Sequence, residues 1–111
     1  MEARIDVYGN ALSAKVAQHI NSAGSVVTNS TLPRTIQDLV KIRASQINGC
    51  AACTDMHTKD AEHSGETPVR LNLIAAWRDA AVFSDTERAA LELVEQGTRI
   101  ADGAGGVSDE A

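Results

Sequence analysis

Apolar residues along the 111-residue chain recur three and four positions apart, interrupted by Gly, Pro, Asn and Ser, and this pattern predicts five helices. The first passes through "ALSAKVAQHI", where Tyr8, Leu12, Val16, His19 and Ile20 fall at helical spacing; "NSAGS" blurs its end. The second lies in "TLPRTIQDLVKIRASQI". Pro33 suits a first helical position, Ile36, Leu39, Val40 and Ile47 form its stripe, and Asn48-Gly49 stops it, glycine being the natural left-handed residue there. A third begins at or near Cys50 and ends at Gly65. The fourth opens on "TPVRLNLIAAWRDA", with Thr67 as N-cap and Pro68 in the first turn. The fifth starts at "SDTE", where Ser84 and Glu87 match a capping box, and runs through Leu91 and Val94 towards Ile100 before "DGAGG" closes it. "VSDEA" reads as one more helix start, with Ser108 as N-cap and Asp109 and Glu110 suited to the helix dipole. Strict apolar–polar alternation is scarce, so a sheet has little support.

Composition sharpens this into an all-α expectation. Hydrophobic residues make up 43% of the chain but aromatics only 3%, so the core must be Leu, Ile, Val and Ala, which suits closely packed helices. The length fits one helical domain, read as residues 1–107, with 108–111 as the start of a truncated further helix. A net charge of −5 without a Lys/Arg cluster gives no footprint for nucleic acid. No apolar run approaches membrane-spanning length, and "MEARIDVYGN" lacks the pattern of a signal peptide, so no membrane role and a cytoplasmic location are expected. There, a close cysteine pair is catalytic or metal-binding more often than structural.

That pair lies in "NGCAACTDMH", which holds both cysteines and one of the three histidines. On a helix advancing about 100° per residue, Cys50, Cys53 and His57 fall within roughly a 60° arc. Side chains lean towards the helix start, so His57 reaches back over Cys53 and can exchange a proton with it. The helix start itself stabilises a thiolate, which favours Cys50 as nucleophile, whereas the imidazole favours Cys53. Residue physics leaves that choice open. It does provide an acidic thiol beside a second one able to resolve a sulfenic acid. Two competing readings are a chance CxxC of buried, inert cysteines and a zinc site using Cys50, Cys53, His57 and His63. Structural zinc pairs usually come from two separated knuckles, and His63 points about 120° from His57.

The strings "LVKIRASQINGCAACTDMHTKDA" and "GETPVRLNLIAAWRDAAVFSDTERAALELVEQGT" resemble the alkyl hydroperoxidase D-like branch of the carboxymuconolactone decarboxylase family. The likeness runs from about Met1 to Val107 and is densest from Leu39 to Thr98. It implies an all-helical bundle of that type, here without its C-terminal helices, assembling as a homo-oligomer (trimer or hexamer). It also implies thiol-dependent reduction of hydroperoxides, with Cys53 peroxidatic, Cys50 resolving, and His57 relaying a proton to a carboxylate twelve residues before Cys50. That position holds Asp38 where the family has glutamate, one methylene longer, so a water would bridge it to His57. The bland alternative is a solvated acid on the polar face of helix two. Asp60 is a second candidate acid. Ala51-Ala52 stands where relatives often carry an aromatic or histidine, which makes the pocket roomier.

No flavin, haem or nucleotide motif is present, so no cofactor is expected and an external dithiol must restore the cysteines. Two alternatives are a non-enzymatic redox sensor and a lactone decarboxylase-type enzyme, the latter disfavoured by the cysteine pair. Among other residues, His19 reads as a core or interface histidine, His63 as exposed, Trp77 as core and Tyr8 as packing or interface. Arg43 reads as a partner for acids across the bundle, and Gln46 and Asn48 as ordering the turn before Cys50. A short chain with a limited core is expected to cover apolar faces with neighbouring subunits.

Overall fold

The computed structural model describes residues 6–103 and 105–111, and among them there are helices, turns and loops but no strand. In chain order these are α1 (Ala11–Thr28), α2 (Arg34–Ile47), α3 (Ala51–His63), α4 (Pro68–Leu73), a 3-10 turn (Ile74–Ala76) and α5 (Asp85–Thr98). The chain divides into two compact units, one ending at Leu32 and the other running from Pro33 to Ala111.

In the first unit, α1 is capped by Asn10, whose side chain accepts from the backbone N–H of Leu12 and Ser13. The "NSAGS" stretch does not end this helix. Ser22, Ser25 and Thr28 each return a hydroxyl hydrogen bond to the carbonyl four residues back, which lets polar side chains ride on the helix instead of breaking it. No residue of α1 is buried, and Tyr8, Leu12, Val16 and Ile20 are exposed. His19, read from the sequence as core or interface, is exposed too.

In the second unit, α2 packs against both α3 and α5. Leu39 and Ile42 of α2, Ala61 of α3, Leu71 of α4, Ile74, Trp77, Phe83 and Leu91 of α5 form the core. Ile42, rather than Val40 or Ile47, is the fully buried partner of Leu39; the latter two are half-buried. Pro33 is the N-cap of α2 and so stands one position earlier than expected. The Ser84–Glu87 capping box closes the start of α5 as the sequence implied, although the helix ends at Thr98. The fourth helix is shorter than its apolar pattern suggested. It gives way to a 3-10 turn at Ile74, beyond which Arg88 donates to the carbonyls of Trp77, Arg78 and Ala80. A side chain from α5 thus satisfies the carbonyls that a longer helix would have bonded internally. "VSDEA" is a turn closed by the Ala111 N–H on the Ser108 carbonyl, and no helix begins there.

Candidate active site

The turn between α2 and α3 places the cysteines. Asn48 ends α2, and Gly49 adopts a φ of 65°, the left-handed conformation a side chain resists. Cys50 follows in extended geometry as the N-cap of α3, its N–H held by the Ser45 carbonyl at 3.1 Å. Its Sγ accepts from the Cys53 N–H at 3.2 Å, so a cysteine occupies the position where Ser, Thr or Asp usually caps a helix. The Cys50 carbonyl takes both the N–H and the hydroxyl of Thr54, each at 2.9 Å. Cys53 sits in the first turn of α3 and is disulfide-bonded to Cys50, with Cα atoms 5.3 Å apart. Both cysteines are half-buried while Ala51 and Ala52 between them are exposed, which leaves the pair reachable from solvent.

His57 lies four residues after Cys53 in α3 and is also half-buried, whereas Asp55 and Met56 are exposed. Cys53 and His57 therefore share the inward-leaning side of the helix, one turn apart. His57 Nδ1 lies 3.9 Å from Asp60 Oδ2, which is electrostatic proximity and too long for a hydrogen bond. His63, at the end of α3, is exposed.

Asp38 is not a solvated surface acid. Its side chain is 5% exposed and accepts from Arg34 Nε at 2.8 Å. It lines a polar cleft of about 340 Å³ together with Arg34, Ala61, Ser64, Glu66 and Arg70. Ala61 is one turn of α3 beyond His57, about 6 Å along the axis. His57 itself does not line this cleft, and no hydrogen bond or ion pair joins it to Asp38 among the described residues. The far wall of the cleft is the Arg70 guanidinium, which bridges Glu66 and Glu87 and lies over the Phe83 ring. The Arg70 hydrogen bond holds the Glu87 carboxyl below its usual range, against the opposing effect of burial.

Two further features of the second unit escaped sequence reading. Glu95 is buried and takes hydrogen bonds from Arg43, Trp77 and Arg99, with Arg78 at 3.4 Å. Burial pushes its carboxyl up, but the Trp77 and Arg43 bonds, the Arg43 charge and the Arg99 bond outweigh that and hold it at about 2. This hub fixes the spacing of α2, the 3-10 turn and α5. Arg34 was the other omission; its i,i+4 spacing to Asp38 was the available signal.

The pattern that defines carboxymuconolactone decarboxylases as a family matches residues 8–96. The chain belongs to the carboxymuconolactone decarboxylase family. Within it, the fold is of the alkyl hydroperoxidase D type: 98% of this chain superposes, at a TM-score of 0.86 and 35% identity, on 73% of a crystal structure from Agrobacterium tumefaciens. That protein is of unknown function and provisionally assigned as the antioxidant defence protein AhpD. Among curated relatives, uncharacterized protein YdfG of Bacillus subtilis is 51% identical over 71 residues, covering 64% of this chain and 48% of its own length. Uncharacterized protein YnjA of Escherichia coli is 39% identical over 67 residues, covering 60% and 36% respectively. This family member therefore spans half or less of the curated relatives it matches. Among its described residues no helix is long and apolar enough to cross a membrane.

Proposed function

We propose that this carboxymuconolactone decarboxylase family member is a thiol-dependent hydroperoxide reductase. The observation that carries the reading is the Cys50–Cys53 disulfide at the start of α3 with His57 one turn above Cys53. In the reduced protein His57 takes the Cys53 proton, and the thiolate attacks the distal peroxide oxygen. The O–O bond breaks, the alcohol leaves with a proton, and Cys53 becomes a sulfenic acid. Cys50 then attacks that sulfur, water is released, and the disulfide forms. An external dithiol reduces it again, passing two electrons and two protons and ending as its own disulfide. In this reading Asp38 receives the proton from His57 through a bridging water. A reducing compartment such as the cytoplasm would supply the dithiol. Assembly into a homo-oligomer, a trimer or hexamer, belongs to the same proposal, supported by the exposed apolar stripe of α1.

The test is steady-state consumption of cumene hydroperoxide with dithiothreitol, comparing wild type, Cys53→Ser and Cys50→Ser. Turnover is expected in the wild type alone. Cys50→Ser should still oxidise once, leaving a sulfenic acid that dimedone traps on Cys53. A folded, fully reduced wild type that oxidises once and does not cycle would point to a redox sensor instead.

A further inference from the structure

The two sulfurs of the disulfide are not equivalent. Cys50 stands just outside α3 as its N-cap, and its Sγ accepts the Cys53 N–H at 3.2 Å. That N–H is one of the donors at a helix start that have no carbonyl of their own, and 13 residues of helix lie behind it. Negative charge arriving on the Cys50 sulfur is therefore met by a hydrogen bond already in place and by the positive end of the helix dipole. The backbone of Cys50 is held at that spot by the Ser45 carbonyl on one side and by the N–H and hydroxyl of Thr54 on the other. Cys53 lies inside the helix, at the border between its packed and its wet side. On the helix surface His57 falls about 40° to one side of Cys53, while Met56 and Ala52 fall about 60° and 100° to the other. His57 is half-buried, whereas Ala52 is exposed and Met56 is 51% exposed. A solvent-borne thiol thus has an open approach to Cys53 over Ala52 and Met56.

We propose that the reducing dithiol enters on Cys53 and expels Cys50, so that Cys53 carries the mixed disulfide with the reductant and Cys50 is the leaving sulfur. This deepens the hydroperoxide-reductase reading and rests on it for the dithiol. One thiolate of the dithiol attacks Cys53 Sγ, the Cys50–Cys53 bond breaks, and its electron pair goes to Cys50 Sγ, where the Cys53 N–H receives the charge. The second thiol of the reductant then loses its proton and attacks its own sulfur in the mixed disulfide. Cys53 leaves as a thiolate and takes a proton back. Two electrons have passed to the protein, and the reductant departs as its own disulfide. A thiolate of low proton affinity leaves more readily and attacks more weakly. The same hydrogen bond therefore suits Cys50 to leaving and keeps the attack on peroxide with Cys53.

The test uses the oxidised full chain and 2-mercaptoethanol, a monothiol that cannot complete the second step. The reaction is quenched with N-ethylmaleimide, and peptide fragmentation reads which cysteine carries mercaptoethanol and which carries maleimide. Mercaptoethanol is expected on Cys53 and maleimide on Cys50, in an excess of about tenfold over the reverse, as one hydrogen bond to a charged sulfur would give. A second readout separates leaving ability from exposure. Cys53→Ser and Cys50→Ser are each loaded with mercaptoethanol on the remaining cysteine, and dithiothreitol is added. Release of the protein thiol should be several-fold faster from Cys50 than from Cys53, although the outer sulfur under attack is the same in both. Equal labelling, or mercaptoethanol mostly on Cys50, overturns the proposal, and so does release from Cys53 at the rate of Cys50. No hydroperoxide enters either measurement. A wild type that fails to consume cumene hydroperoxide but is labelled on Cys53 loses the peroxidase reading and keeps the direction of reduction. Turnover of hydroperoxide with labelling on Cys50 does the opposite.

Discussion

Glu95 and Asp38 are both buried carboxylates bonded to arginine, and their surroundings divide their work. Glu95 is enclosed by Arg43, Trp77 and Arg99, so its charge is committed to holding three elements in register. Asp38 is bonded to one arginine and lines a polar cleft, so one side of it is left open. Breaking a buried pair from one side costs about 3–5 kcal/mol, and Glu95→Ala should lose stability of that order in urea unfolding. The pH dependence follows from the carboxyl held at about 2 in the folded chain against 4.5 ordinarily. A depressed carboxyl contributes its stability fully above the ordinary value and loses it as pH falls towards the folded one. The wild type should therefore lose about 3 kcal/mol between roughly pH 5 and pH 2 from this group alone. Glu95→Gln should show a shallower acid decline; an identical decline would remove Glu95 from its cause.

At the scale of elements, the turn at Gly49 decides where the chemistry sits. With φ at 65° and open space where a Cβ would be, alanine there meets backbone strain and no steric clash. Gly49→Ala should cost about 1–2 kcal/mol, read as a lower thermal midpoint. It should also slow re-formation of the Cys50–Cys53 disulfide, because the turn sets the approach of Cys50 to the first turn of α3. Re-oxidation at the wild-type rate would mean that α3 positions its cysteines without help from the turn. The break between α4 and the 3-10 turn has a different origin. Its sequence is compatible with a longer helix, and Arg88, reaching from α5, supplies hydrogen bonds that make the shorter one stable.

For the whole molecule, the second unit has a core in which Leu39, Ile42, Ile74 and Leu91 are fully buried. Leu39→Ala should cost about 2–5 kcal/mol in equilibrium unfolding, the range for a leucine removed from a packed site. The first unit contrasts with it, since α1 is amphipathic in pattern but buries no residue. In proteins most helical stability comes from packing of an amphipathic face rather than from propensity. If a second copy covers its stripe, Leu12→Glu/Ile20→Glu should sediment as a monomer under conditions where the wild type assembles. Unchanged assembly would place the contact elsewhere.

Much of this was legible in the residues themselves because the signals are local. Helical spacing, the Ser84–Glu87 box, Thr67-Pro68, Gly49 and Gly65 depend on neighbours within four positions, and so does the placement of Cys53 and His57 one turn apart. Tertiary structure alone decided the rest, because those features join residues distant in sequence or depend on burial. Trp77 and Glu95 are eighteen positions apart, and Arg43 and Glu95 fifty-two, with nothing local to pair them. Whether Asp38 is a wet surface acid or a sheltered one turns on the packing of α3 and α5 around α2, which no spacing along α2 records.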